Sequence, residues 1–132
     1  MTEHSHKQQV SFGMRFGRFV HGLLGITEWK VNADFVKQSS LRQTPDGLDG
    51  IGQCFATPAY LEADVEFATI VSRERLRQSI IHEHLHIVMA EIRALAQRSM
   101  TGNELAAYND AEERAVTRLE RALDDLLKEV WK

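Results

Sequence analysis

The spacing of apolar residues predicts a leading helix followed by a strand. From residue 10 to residue 24, apolar side chains recur at intervals of three and four, and Gly25 follows as a stop. The apolar positions of this helix are Phe12, Phe16, Phe19, Val20 and Leu23. In residues 29–35, apolar and polar residues alternate, which predicts a strand with one buried face. Its apolar positions are Trp29, Val31, Ala33 and Phe35.

Two further strands are predicted after a turn. The turn is indicated by "TPDGLDG", residues 44–50, which is rich in Pro, Asp and Gly. The strands are "GIGQCFA", residues 50–56, and "ADVEFATIV", residues 63–71. Pro58 and a short bend around Tyr60 separate them. Together with the first strand, they predict a small three-stranded sheet.

The second half of the chain is predicted to form two long helices. Ser72 precedes a helical pattern and Glu74 follows in its first turn, which is typical of a helix N-terminus. The pattern continues to about Arg98 through Leu76, Ile80, Ile81, Leu85, Val88, Ile92 and Leu95. After "SMTG" a second helix is predicted over residues 103–130.

These elements predict an α+β fold in a single domain. A chain of 132 residues is long enough for one modest core, and no repeat or linker divides it. We therefore assign residues 10–132 to one domain. Residues 1–9 are polar and are predicted to form a flexible N-terminal tail, in which His4 and His6 have no assigned function.

Composition excludes several classes of partner. Sixteen Lys and Arg against nineteen Asp and Glu give a formal net charge of -3, so no broad basic surface for nucleic acid is expected. The apolar runs are far shorter than the roughly 20 residues that cross a bilayer, which predicts a soluble cytoplasmic protein without a membrane partner. The single cysteine, Cys54, is expected to be a buried, inert thiol.

The chemistry of the chain is concentrated in "HEHLH", residues 82–86. His82 and His86 are four positions apart, so on a helix their imidazoles lie one above the other and can bind one ion. Zinc accepts such nitrogens, and in catalytic sites it takes three protein ligands and keeps one position for water. Glu83 is placed to remove a proton from that water. His84 points elsewhere and is expected to be a surface or hydrogen-bonded histidine.

The third ligand is expected on the last helix. A predicted buried face passes through Leu105, Tyr108, Ala115, Leu119, Ala122 and Leu126. On this periodicity Glu112 lies near the centre of the apolar stripe and Glu113 toward its edge. A carboxylate on a buried face needs a partner, which favours Glu112, whereas a ligand at the rim of the interface reaches a cleft more easily, which favours Glu113. Simple periodicity thus favours Glu112, and access to a cleft favours Glu113.

The motif and its flanks resemble the gluzincin metallopeptidases, in particular the very small, phage-associated or minigluzincin-like proteins. The resemblance covers about residues 10–127 and is carried by "YLEADVEFATIV", "HEHLH" and "EERAVTRLERAL". It implies a zincin-like catalytic subdomain in which His82, His86 and Glu113 bind Zn²⁺. The metzincin pattern, which requires a Gly and a third His soon after the motif, is not matched by "HIVMAEIRAL".

The resemblance also implies an activity. A zinc-dependent endopeptidase would hydrolyse a peptide or protein substrate with a metal-bound water activated by Glu83. "ADVEFATIV" would be an edge strand beside the cleft, to which an extended peptide could add; the alternative is an ordinary core strand. No oxyanion-stabilising residue is assigned, because Tyr108 fits equally well as a core aromatic. The alternative is a non-catalytic, zinc-stabilised interaction module, and the oligomeric state is left open.

Overall fold

The computed structural model describes residues 4–37 and 52–132, which form an α+β structure. In these residues, helix α1 covers His6–Leu23, and strands β1, β2 and β3 cover Lys30–Val36, Gly52–Thr57 and Glu62–Ala68. A 3-10 turn, Pro58–Tyr60, joins β2 to β3, and helices α2, Arg73–Ser99, and α3, Gly102–Leu127, complete the fold. The predicted order of a leading helix, three strands and two long helices is confirmed.

The sheet is mixed, and β3 is its central strand. The strand order is β1-β3-β2, with β3 parallel to β1 and antiparallel to β2. The prediction that "ADVEFATIV" forms an edge strand is therefore wrong, and the alternative of a core strand is confirmed. Ala63, Val65 and Phe67 are buried on the face of β3 toward the core. Alternation along a strand identifies its buried face but does not identify its neighbours, which depend on how the chain returns to the sheet.

Helix α1 begins earlier than the sequence pattern predicted. The Ser5 side chain accepts from the Gln8 backbone, and the Gln8 side chain accepts from the Ser5 backbone, which forms a capping box. Residues 6–9 therefore belong to the helix rather than to a flexible tail. Gln9 is fully buried and donates to the Val71 carbonyl. His6 hydrogen-bonds the Thr69 hydroxyl at 2.6 Å, so its side chain is tied to the domain.

The helix α2 is buried along its first half and partly exposed beyond it. Leu76, Ile80, Ile81 and Leu85 are buried as predicted, but Val88, Ile92 and Leu95 are 42%, 52% and 59% exposed. Contacts with α1 occur at the guanidinium of Arg73, which lies over the Phe12 ring, and at His84, which lies close to Gly17. Helical periodicity identifies which apolar residues share one face of α2. It does not show how much of that face another element covers.

The buried face of α3 is rotated from the predicted one. Leu119 and Leu126 are 50% and 76% exposed and Ala122 is exposed, so their predicted burial is wrong. Val116 is fully buried instead, and Leu123 and Leu127 pack against the core. The side of α3 that faces α2 also carries the acidic residues that pair with polar residues of α2. In the described residues no helix is long and apolar enough to cross a membrane.

Candidate metal centre

The two histidines of "HEHLH" converge from the middle of α2. The helix is continuous through residues 82–86, so His82 and His86 lie one turn apart, with ring centroids separated by 5.0 Å. Their Nε2 atoms are 3.3 Å apart. Two nitrogens that each lie about 2.05 Å from a tetrahedral zinc ion are separated by about 3.3 Å. The spacing of the imidazoles therefore suits one shared ion.

Glu113 of α3 faces both imidazoles. Its Oε1 lies 2.9 Å from His82 Nε2, and its Oε2 lies 3.0 Å from His86 Nε2. One potential ligand atom from each of these three residues lies within 4.8 Å of the others. The Glu113 side chain is 47% exposed, so the group opens toward solvent. The structure thus brings together the three residues predicted as metal ligands, in an arrangement compatible with a metal site.

A second carboxylate holds each histidine from behind. His82 Nδ1 lies 2.7 Å from Glu120 Oε1, and His86 Nδ1 lies 2.7 Å from Glu112 Oε2. Because a carboxylate accepts, each Nδ1–H donates, so that each imidazole, when neutral, would direct its Nε2 lone pair at the centre. Helix α3 therefore supplies one carboxylate between the imidazoles and two that orient them.

Glu112 is buried and its two oxygens are already engaged. It is 6% exposed and accepts from His86, from the Tyr108 hydroxyl at 3.1 Å and from Arg93 Nε at 3.0 and 3.1 Å. The sequence prediction that Glu112 occupies the buried face is confirmed, but its contacts are those of an orienting group. Of the two adjacent glutamates, only Glu113 reaches the Nε2 atoms.

Electrostatics of the metal-free site are set by this excess of carboxylates. Burial alone would lower the pKa of His82, but hydrogen bonds to Glu113 and Glu120 outweigh it and raise that pKa to about 10. Burial would likewise lower the pKa of His86, but its hydrogen bonds to Glu112 and Glu113 raise that pKa to about 9. The two imidazoles hold the pKa of Glu113 well below its usual range. The carboxylates of α3 therefore favour positive charge between the two helices.

Glu83 lies against strand β2 of the sheet, next to Gly52. It is 8% exposed, and a Cβ placed on Gly52 of β2 would lie only 3.1 Å from its Cγ. Burial raises the pKa of Glu83, while the charges of His82 and His86 oppose that rise. Gly52 therefore allows strand β2 to lie directly against the predicted base.

His84 and Cys54 take no part in the cluster. His84 is 2% exposed, donates from Nδ1 to the Ile80 carbonyl at 2.7 Å and stacks on Phe67. Burial lowers its pKa to about 4, so it is the hydrogen-bonded, neutral histidine that one of the two sequence expectations described. Burial also raises the pKa of the Cys54 thiol to about 12, which keeps it protonated and unreactive at neutral pH.

Sequence reasoning missed Glu120 and Arg93. Each lies seven residues after a predicted ligand, Glu120 after Glu113 and Arg93 after His86, and therefore on the same side of its helix. This two-turn spacing was the available signal. It identifies residues that face the same way, but it does not reveal that the two helices pack with these side chains in contact.

Comparisons with models of protein families, with curated proteins and with solved structures gave no match for this chain.

Proposed function

We propose that this chain is a zinc-dependent endopeptidase of the gluzincin type. His82, His86 and Glu113 would hold the ion, and Glu83 would act as the general base. The observation that carries the proposal is the convergence of two Nε2 atoms, 3.3 Å apart, on the carboxylate of Glu113. Two imidazole nitrogens and one carboxylate form a ligand set that catalytic zinc sites use.

The donor set favours zinc over the common alternatives. Magnesium and calcium prefer six or more oxygen ligands, whereas this cluster offers two nitrogens and one carboxylate. Hydrogen bonds from each Nδ1–H to Glu120 or Glu112 fix the imidazole orientation that a metal requires. Bound zinc would supply Lewis acidity that polarises a peptide carbonyl and makes water more acidic.

Glu83 has the environment of a general base. Its burial raises its pKa, and a raised pKa makes a carboxylate better suited to taking up and returning a proton. It neighbours both imidazoles in the HEHLH turn of α2 but does not belong to the ligand group. In peptide hydrolysis Glu83 would accept a proton from the attacking water and then donate it to the leaving amine.

A zincin-like arrangement also suggests where a peptide would lie. In the described residues, β2 pairs only with β3, and Gly52 of β2 lies against Glu83. A peptide that added to this edge by main-chain hydrogen bonds would pass close to the base. In this proposal β2 takes the role that the sequence assigned to "ADVEFATIV".

The first test is metal binding. Protein supplied with zinc and then freed of loosely bound ions should carry about one zinc per chain by elemental analysis. Glu113→Gln should weaken zinc affinity sharply, because a neutral amide replaces an anionic oxygen. Asp110→Asn, at an exposed position of the same helix, is the control and should leave affinity unchanged. A wild-type protein without zinc would sink the proposal.

The second test separates metal binding from catalysis. Zinc-loaded protein should cleave members of a mixed peptide library, and a chelator should stop the cleavage. Glu83→Gln should keep its zinc and its fold but lose hydrolysis, since the amide cannot take up the proton. Zinc binding without cleavage of any peptide would instead favour the non-catalytic, zinc-stabilised interaction module.

A further inference from the structure

Arg93 connects the candidate ligand His86 to the buried carboxylate of Glu112. It lies two turns after His86 on α2, and its side chain is 22% exposed. Its Nε donates to both oxygens of Glu112, at 3.0 and 3.1 Å, and one terminal nitrogen lies 3.0 Å from Oε2. The same terminal nitrogen donates to the backbone carbonyl of His86 at 2.9 Å. One guanidinium thus binds the ligand's backbone and the carboxylate that orients the ligand's ring.

These contacts use the acceptor capacity of Glu112 in a fixed arrangement. Oε2 accepts from His86 Nδ1 and Arg93, and Oε1 accepts from the Tyr108 hydroxyl and Arg93. A carboxylate that is 6% exposed would be strongly destabilising without such partners. The neighbouring Glu113 contacts the two Nε2 atoms and is 47% exposed. The adjacent carboxylates therefore differ in their partners rather than in their chemistry.

We propose that Arg93 is a positioning residue that fixes Glu112 as the orienting group of His86 and so leaves Glu113 as the metal ligand. This inference rests on the proposed metal site and names a residue that determines its ligand set. The planar fork of the guanidinium reaches the carboxylate and the His86 carbonyl together, which a lysine ammonium on a single stem cannot reproduce. Removal of Arg93 leaves Glu112 buried beside the site without its cation, so the carboxylate and the His86 ring shift.

The test is titration of the metal-free protein with Co²⁺, whose visible spectrum reports the geometry and the identity of the ligands. Arg93→Met should weaken Co²⁺ binding by about 10- to 100-fold, the effect typical of groups that orient metal ligands, and should change the visible bands. Arg93→Lys retains the charge and should show a smaller loss with a spectrum still altered. Arg98→Met is the matched control, because Arg98 is exposed on the same helix, and it should behave as wild type.

A double-mutant cycle shows whether Arg93 acts through Glu112. Glu112→Gln alone should also weaken Co²⁺ binding, and Arg93→Met added to it should cause less than about a 3-fold further loss, because the two residues act as a unit. An equal loss in both backgrounds would overturn the proposal, since Arg93 would then act independently of Glu112. Unchanged affinity and spectrum in Arg93→Met would overturn it as well.

Folding and metal binding are checked separately. Circular dichroism of each metal-free variant shows whether α2 and α3 remain intact, and Arg93→Lys with Glu112→Gln carries the test if Arg93→Met fails to fold. If Arg93→Lys then showed the Co²⁺ spectrum and affinity of the wild type, the proposed role of the Arg93 guanidinium would be overturned. Failure of the wild-type protein to bind Co²⁺ would overturn the metal site itself, which is distinguishable from failure of Arg93→Met to alter it.

Discussion

Glu112 and Glu113 show how neighbouring residues of one type acquire different roles. Adjacent helical residues differ by about 100° around the axis, so the two carboxylates cannot both face the imidazole Nε2 atoms. Glu112 is directed into the interface, where Arg93 and His86 bind it, and Glu113 is directed at the opening between the helices. Residue type alone therefore does not assign a ligand, because the assignment depends on which partners each side chain meets.

Gly52 of β2 is packed closely against side chains of α2. A Cβ at this position would lie 2.3 Å from Ser79 Oγ and 3.1 Å from Glu83 Cγ. We expect Gly52→Ala to destabilise the protein by about 1–3 kcal/mol through overpacking and to reduce peptide hydrolysis more than zinc affinity, because Glu83 is displaced and the ligands are not. Urea unfolding, zinc titration and peptide cleavage measure the three effects.

A matched glycine variant controls for the added methyl group. Gly22 of α1 has no atom within 4 Å of an added Cβ, so Gly22→Ala should leave stability unchanged or slightly raised. Adding Ser79→Ala to Gly52→Ala removes the closest clashing atom and should recover part of the stability. If Gly52→Ala matched Gly22→Ala in all three measurements, the close approach of β2 to Glu83 would not affect stability or activity, which contradicts the prediction.

Among the elements, the pairing of α2 with α3 builds the site. Arg77 near the start of α2 meets Asp124 near the end of α3, and His86 meets Glu112 further along, so the helices run antiparallel. This direction sets three glutamates of α3 opposite the two histidines of α2. The polar residues in the middle of both helices are stabilised because imidazole and guanidinium groups of α2 pair with carboxylates of α3.

The buried Arg77–Asp124 pair gives this helix pairing a defined pH dependence. Burial opposes ionisation of Asp124, but hydrogen bonds from Arg77 and Gln78 prevail and hold its pKa below the usual range. The unfolded chain therefore binds the proton more readily, so the pair stabilises the fold above about pH 4, and this contribution is lost as the pH falls through the folded-state pKa. We expect Asp124→Asn to lower the free energy of unfolding by about 3 kcal/mol at pH 7 and by less at acid pH.

Urea unfolding of wild type and Asp124→Asn between pH 7 and pH 2 measures this difference. Asp125→Asn is the neighbouring control, because Asp125 is 73% exposed and pairs only with Lys128 in the described contacts. An exposed pair of this kind should contribute less than about 0.5 kcal/mol. A difference between wild type and Asp124→Asn that stayed constant down to pH 2 would contradict the assigned linkage.

Across the whole molecule, Trp131, which follows α3, contacts both other helices. The Trp131 ring lies 5.1 Å from the rings of Phe16 and Phe19 of α1, and its backbone carbonyl accepts from Arg77. The residue therefore joins the end of α3 to both α1 and α2. The candidate metal site lies near the middle of α2 and does not include Trp131, so the two regions can be perturbed separately.

Trp131→Ala should lower the free energy of unfolding by about 2–4 kcal/mol, because aromatic contacts with α1 are lost and a cavity is left. Zinc affinity of the folded variant should stay within about 3-fold of wild type, since no candidate ligand or orienting carboxylate contacts the ring. Val130→Ala, at a position that is 80% exposed, is the control and should change stability by less than about 0.5 kcal/mol. Equal stability of the two variants would show that Trp131 does not fasten α1.

Prediction from sequence succeeded where local geometry decides the outcome. The positions of the helices and strands follow from the period of apolar residues, and Gly25 adopts the positive φ of 68° expected after a helix end. The start of α1 was missed, although Ser5 and Gln8 already carried the capping-box signal. The exposure of Val88, Ile92 and Leu95 on α2 and the rotated buried face of α3 could not be foreseen, because a helical period does not specify which elements pack against each face.

For the candidate site as well, local features were predictable from sequence and contacts between elements were not. The sequence by itself determined that His82 and His86 share one face of a helix, because four residues of α-helix always return to nearly the same direction. Only the tertiary structure decided that Glu113 meets their Nε2 atoms, that Glu112 is held by Arg93 and that β3 rather than β2 is central. Such relations arise from packing between elements far apart in the chain, and one helical or strand period does not encode the angle and offset at which those elements meet.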